Sequence, residues 1–174
     1  IQGVTVSGGE PLLQLDFVTE LFKKVKALGL NTCLDTNGSV FGEFNKSKID
    51  ELLKVTDLVL LDLKHIDDAC HINLTGQSNK KNMEFAKYLS DKRVPTWLRY
   101  VLVPTINDSA EILREWKKFA DRLSSVQKIE ILPYHRLAIE KYEKLGIEYK
   151  IKDIQEPTKE QLKLAEQILV KGEN

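Results

Sequence analysis

Five short runs of β-branched and aliphatic residues, each followed by a stretch of helical period, decide most of what this chain can fold into. The runs are residues 3–6, 31–36, 57–63, 96–103 and 128–133. Between them apolar residues recur every three or four positions. Phe17, Leu21, Val25 and Leu28 form such a stripe in a helix predicted over residues 14–28, and Gly29 stops it. Further helices are predicted over residues 46–54 and about 82–89, and after a cap at Asp108 or Ser109, where Ile112, Trp116, Phe119 and Leu123 recur. Thr158 and Gln161 form a capping-box pattern for a last helix on Leu162, Ala165 and Leu169. Strand–helix alternation requires parallel pairing with right-handed crossovers. The chain therefore reads as α/β, with about five parallel strands wrapped by helices. Residues 57–63 are nearly continuous hydrophobe, as in a strand covered on both faces. Periodicity leaves open whether the sheet curls into a barrel.

At 174 residues, with no internal repeat, linker or low-complexity tract, the chain reads as a single domain over residues 1–174. Twenty-six basic and twenty-six acidic residues cancel, which gives no support to nucleic-acid binding. No apolar run approaches the ~20 residues that cross a bilayer, and no signal peptide is visible. Cys33 and Cys70 form neither a Cys-x2-Cys pair nor a disulfide framework, which fits a reducing cytoplasm. The chain opens at Ile1, without Met, directly on a strand, and reads as a piece whose N-terminal part is missing. On that reading strand 3–6 is an exposed edge, expected to self-associate or to leave residues 1–10 disordered.

The polar residues gather at one end of the strands, where parallel α/β folds bind ligands. Ser7-Gly8-Gly9-Glu10-Pro11 follows the first strand. The glycines can take positive φ and admit a ligand to the backbone, Glu10 offers a carboxylate to a cation, and Pro11 suits a first helical position. Asp35-Thr36-Asn37-Gly38 closes the second strand, Asp62-Leu63-Lys64 the third, and Pro133-Tyr134-His135 the fifth. Asp35 and Asp62 interrupt hydrophobic strands, and each needs a cation or a ligand to justify burial. Lys64 reads as a cation for a ligand carboxylate, with a Schiff-base nucleophile as the other option. Arg99 and Glu130, on adjacent strands, either pair with each other or leave Arg99 to reach a peptide or cofactor. His135 reads as a structural loop residue or a hydrogen-bond partner for a ligand. His65, Cys70 and His71 suggest zinc, but their spacing matches no usual four-ligand pattern. Cys33 reads as a small buried hydrophobe.

The motifs Thr5-Val6-Ser7-Gly8-Gly9-Glu10, Thr32 to Gly38, Asp57 to Lys64, Trp97 to Pro104 and Ile131 to His135 occur in this order. Together they resemble the glycyl radical enzyme activases of the radical S-adenosylmethionine superfamily, over essentially the whole chain. The resemblance implies a partial (β/α)6 barrel of which this chain supplies the second to sixth strands. It implies S-adenosylmethionine and a [4Fe–4S] cluster as cofactors, pyruvate formate-lyase as the partner whose glycine is oxidised to a radical, and flavodoxin or a similar protein as electron donor. By the same resemblance Gly8, Gly9 and Glu10 meet the methionine amino group, and Asp62, Leu63 and Lys64 line the cofactor with Lys64 near its carboxylate. Asp35 sits close by, with a monovalent cation beside it and Asp62 left open. His135 touches the adenosine portion, and Arg99 faces the cofactor or the substrate glycine loop. The Cys-x3-Cys-x2-Cys loop that holds the cluster does not occur in these residues, so the chain is expected to be inactive by itself. Three other readings stay open: an activase of another glycyl radical enzyme such as a diol dehydratase, a Lys64-dependent barrel aldolase, and a binding module for a partner protein.

Overall fold

A computed structural model describes residues 2–172. Five parallel strands form one sheet in the order of the chain: β1 (Gly3–Val6), β2 (Asn31–Thr36), β3 (Leu58–Asp62), β4 (Thr96–Leu102) and β5 (Val126–Pro133). Seven α-helices connect or follow them: α1 (Leu15–Ala27), α2 (Lys46–Leu53), α3 (Asp68–Thr75), α4 (Lys80–Asp91), α5 (Ala110–Ala120), α6 (Ile139–Lys144) and α7 (Lys159–Glu166). The last helix runs on as a π-helical turn, Gln167–Lys171.

The strand order never reverses, so every right-handed crossover lands on the same face of the sheet. The burial pattern records this. Leu34, Val59, Leu61, Leu98, Tyr100 and Leu102 point to the helices and are buried, while Cys33, Asp35, Leu60, Asp62, Trp97 and Arg99 point the other way and are only half-buried. β3 is thus not covered on both faces, as its composition suggested. One-way winding leaves its second face to form the inner wall of a curved sheet.

The helix-side core is built on Trp116, Tyr100, Phe22 and Phe85, all fully buried. Each such side chain contributes roughly 1.5–3 kcal/mol when removed from water. Trp116 and Tyr100 meet edge to face at 5.1 Å, and the indole Nε1 donates to the Leu63 carbonyl at 3.0 Å. In α1 the buried stripe is Leu15, Val18, Phe22 and Val25, whereas Phe17 and Leu28 are 64% and 75% exposed. Two overlapping apolar stripes compete in this sequence. The 3₁₀ turn Pro11–Gln14, capped by Glu10, sets the rotation at which the helix meets the sheet and selects the second. Helices α3 and α6 were not foreseen. The first is short and has no clear apolar stripe; it is held by its ends, with the Asp67 carboxylate accepting from Cys70 N at 2.8 Å and Gly76 at φ 79° closing it.

β1 pairs with β2 alone through four residue pairs and forms the sheet edge. Residues 3–10, on which self-association or disorder is expected, are held by this ladder and by the Glu10 bonds described below; Ile1 lies outside the described residues. No helix among the described residues is long and apolar enough to cross a membrane.

Candidate functional site

The site is assembled from the carboxyl ends of the strands. After β1 the chain turns through Gly8, whose φ of 106° strains any L side chain. A Cβ built on Gly8 or Gly9 would meet no atom within 4 Å, so the protein itself does not fill the space above this turn. Glu10 closes the turn as a helix cap. Its Oε1 accepts from Leu12 N at 3.1 Å and Thr36 Oγ1 at 2.5 Å, and its Oε2 accepts from Asn37 N at 3.0 Å. One carboxylate thereby ties the end of β1 to the end of β2 and is held in a single orientation.

Below it, on the inner face, Arg99 lies between two acids. Its Nε donates to Asp62 Oδ1 at 2.8 Å, and its Nη1 to Asp35 Oδ2 at 3.1 Å, with a second bond from Nη2 to Asp35 Oδ1. Ser7 Oγ also donates to Asp35 at 3.0 Å. The three side chains are 16–19% exposed. Burial works against the guanidinium charge, but Asp62 and Asp35 more than offset it and hold the Arg99 pKa above its ordinary value. The alternative Arg99–Glu130 pairing does not form, although the two residues are register partners. Glu130 is taken by Lys128 at 2.8 Å, and two carboxylates outcompete one for the guanidinium. Asp35 and Asp62 therefore find their cation within the chain.

A cavity of about 760 Å³ opens at this end of the sheet. Glu10, Asn37, Asp62 and Lys64 line it from the strand ends, Asn82 and His71 from the helices beyond β3, and Tyr134, Tyr142 and Tyr149 from the C-terminal segment. Lys64 reaches in with its Nζ 3.9 Å from Asp62 Oδ2 and its side chain 39% exposed. Of the residues read from the sequence, Glu10, Asp62 and Lys64 line the cavity, Gly8, Gly9, Asp35 and Arg99 stand outside its lining, and Leu63 and His135 are turned elsewhere. Leu63 is 2% exposed and packs into the helix-side core, because strand alternation turns it away from Asp62 and Lys64. His135 is exposed and does not line the cavity; the same alternation gives that position to Tyr134, whose hydroxyl donates to Ile151 O at 3.2 Å. Sequence reasoning missed Tyr142, Tyr149 and Asn82, none of which belongs to a motif, and named Tyr134 only as the neighbour of His135.

Of the residues that suggested zinc, His65 and Cys70 come within 4.8 Å of each other and of Asp67, but the imidazole is already hydrogen-bonded. His65 Nδ1 accepts from Asp67 N at 3.0 Å and its Nε2 faces Ile106 O at 3.4 Å, so both ring nitrogens are used. His71 does not join it and turns its Nδ1 to Gln77 O at 2.7 Å. The cysteines do not suit an iron–sulfur cluster either. Cys33 is half-buried in β2 and Cys70 is exposed on α3. Burial pushes the Cys33 thiol up, and the Asp67 carboxylate beside Cys70 does the same, while ligation requires thiolates.

Comparison with known proteins places the chain in a family. The family model for the radical SAM superfamily matches residues 1–116. Among curated relatives, the pyruvate formate-lyase-activating enzyme of Staphylococcus epidermidis is 49% identical over 166 residues, covering 94% of this chain and 66% of that protein. The enzyme of the same name from Staphylococcus aureus is 46% identical, with the same coverage. The chain thus spans just under two thirds of the length of these relatives. Among solved structures, a domain of the pyruvate-formate lyase-activating enzyme from Bacteroides vulgatus superimposes with a TM-score of 0.80 at 24% identity, covering 99% of this chain and 95% of that one. SuiB of Streptococcus suis bound to S-adenosylmethionine matches with a TM-score of 0.62 at 18% identity, covering 83% of this chain and 35% of that one. At these identities the structures speak to fold, and the fold they share with the sequential sheet described above is the partial barrel. Family model, strand order and the Gly-Gly-Glu turn converge, and the chain belongs to the radical SAM superfamily.

Proposed function

We propose that this chain carries the S-adenosylmethionine-binding face of an activase that installs a glycyl radical on pyruvate formate-lyase. The observation that carries the reading is that a fully oriented Glu10 after β1 and Asp62 and Lys64 after β3 line one open cavity at the carboxyl edge of the sheet, with unfilled space above the adjoining Gly8–Gly9 turn. The name borne by the 46–49% identical relatives points to the same partner.

In this reading the Gly8–Gly9 backbone and the Glu10 carboxylate receive the methionyl amino group, and Lys64 pairs with the methionyl carboxylate. Asp62 lies close enough to favour the lysine's charged form. Arg99 keeps Asp35 and Asp62 apart and oriented, on the wall the substrate glycine loop would approach. His135, one residue beyond the cavity-lining Tyr134, is assigned the outer edge of the adenosine portion. When bound at a [4Fe–4S] cluster and reduced, S-adenosylmethionine supplies a 5′-deoxyadenosyl radical that takes a hydrogen atom from a glycine Cα. The thiolates for such a cluster are not Cys33 and Cys70, so these residues alone should bind the cofactor weakly and leave it intact. A flavodoxin-type protein as reductant belongs to the same proposal. The Lys64 aldolase reading is disfavoured, because the lysine is 39% exposed and beside a carboxylate rather than desolvated.

The test is an NMR titration of this chain with S-adenosylmethionine. Amide shifts confined to Gly8, Gly9, Glu10, Asn37, Asp62, Lys64 and His135 and their immediate neighbours are expected, with no 5′-deoxyadenosine formed under dithionite. Shifts elsewhere, or none at saturating cofactor, would overturn the assignment of the site.

A further inference from the structure

We propose that Asn82, on the first turn of α4, is a positioning residue for the Glu10 clamp, acting through Asn37. The proposal deepens the cofactor reading above and rests on it for the identity of the ligand. Asn82 is 3% exposed and lines the same cavity as Glu10, Asn37 and Lys64. Its Nδ2 donates to the Asn37 carbonyl at 2.6 Å across 45 residues of sequence. The carbonyl itself sets the orientation of the amide, since the reverse would bring two oxygens together.

The other half of the carboxamide is the informative part. Asn82 Oδ1 is buried and has no partner among the described residues. A buried amide with one end unsatisfied is a poor choice for packing alone, because an apolar side chain of similar volume leaves no orphan acceptor. Helix capping does not explain it either. The start of α4 is anchored by Asn79, whose Nδ2 donates to His65 O at 3.0 Å and Ile66 O at 2.8 Å. What Asn82 offers is its N–H, and the recipient is the residue that orients Glu10.

Asn37 is gripped on both sides. Its N–H goes to Glu10 Oε2 at 3.0 Å and its carbonyl to Asn82. The next residue, Gly38, sits at φ 73°, where a Cβ would lie 2.6 Å from Phe85 Cδ1. Helix α4 therefore presses on this turn at Asn82 and, three residues on, at Phe85. Releasing the Asn37 carbonyl frees the turn to rotate and removes one of the three donors that hold the Glu10 carboxylate.

The test compares the wild-type chain with Asn82→Leu, which keeps the volume without the donor, and Asn82→Ser, which restores a shorter hydroxyl donor. Two readouts are taken: amide hydrogen exchange without ligand, and the Kd for S-adenosylmethionine. For Asn82→Leu, exchange at Asn37 and Leu12 should quicken roughly five- to tenfold while Val59 and Leu63 in the sheet are unchanged, and Kd should rise by a similar factor. Asn82→Ser should recover part of both. Unchanged exchange at Asn37 in the Leu variant, or a uniform rise that includes Val59 and marks a merely structural role, overturns the proposal. If exchange responds locally but the wild type shows no cofactor binding, the positioning role stands and the cofactor reading falls.

Discussion

Asn107→Ala should be among the most damaging single substitutions in this chain, although Asn107 belongs to no motif. The residue is fully buried in the loop after β4. Its Nδ2 donates to Lys64 O at 3.0 Å and to Val101 O at 2.9 Å, and its Oδ1 accepts from Val103 N at 2.7 Å. Tyr100 Oη donates to the Asn107 carbonyl at 2.6 Å, a main-chain bond that alanine retains. The substitution thus deletes three bonds and strands two carbonyls and one N–H in the interior. At about 0.5–1.5 kcal/mol per bond, with the stranded groups favouring the upper end, the loss comes to roughly 2–4 kcal/mol. Against a domain stability of about 5–15 kcal/mol this is a large fraction. With a urea m-value of about 1–3 kcal/mol/M, the midpoint should fall by about 1–2 M. Equilibrium urea unfolding read by fluorescence suits this chain, since Trp116 is buried against Tyr100 and loses that environment on unfolding. Asn107→Asp should cost at least as much, because it retains the acceptor for Val103 N but points an oxygen at two carbonyls. A midpoint shift below about 0.3 M for the alanine variant, at unchanged slope, would refute the reasoning and mean that something else fixes the main chain at Lys64.

Arg99→Ala leaves Asp35 without its cation and Asp62 with only the longer contact to the half-exposed Lys64, and should destabilise by about 2–4 kcal/mol in the same assay. Adding Asp62→Asn should recover part of that loss, and equal midpoints for the single and double variants would show that the ion pairs are not the cause. Gly8→Ala should cost about 1–3 kcal/mol through its positive φ, whereas Gly9→Ala, with nothing near its Cβ, should leave stability intact and weaken cofactor binding. Calorimetry that finds unaltered affinity for the Gly9 variant would argue against a ligand on that turn. Asp57 supplies a pH test. Burial pushes its pKa up, but bonds from Lys26 at 2.6 Å and Thr32 N at 2.8 Å outweigh this and lower it below 3.8. Its stabilising contribution is accordingly complete above 3.8 and lost as pH falls through the depressed value. Asp57→Asn should flatten the acid limb of stability against pH, and an unchanged slope would assign that limb to other carboxylates.

The sequence alone determined the parallel α/β class, the five strands to within two residues, and the edge of the sheet where chemistry gathers. Those features rest on local physics: alternation with period two or 3.6, glycines at turns, and the rule that parallel strands present their carboxyl ends together. Gly8, Gly9, Glu10, Asp35, Asp62, Lys64 and Arg99 were legible because charge or glycine at a strand end is conspicuous against apolar neighbours. What only the tertiary structure decided is which way each side chain turns and with whom it pairs. The sequence offered Arg99 both Glu130 and the two aspartates, and the choice followed from the position of Lys128 and the curvature that brings β2 toward β4. The rotation of α1 that buries Phe22 and exposes Phe17, and the alternation that sends Leu63 to the core and Tyr134 rather than His135 to the cavity, were likewise set by packing against the sheet. Asn82 and Asn107 show the limit most clearly. A buried amide is recognised by the main-chain groups it satisfies, and the Asn37 carbonyl lies 45 residues from Asn82 and the Lys64 carbonyl 43 from Asn107, where no local pattern reaches.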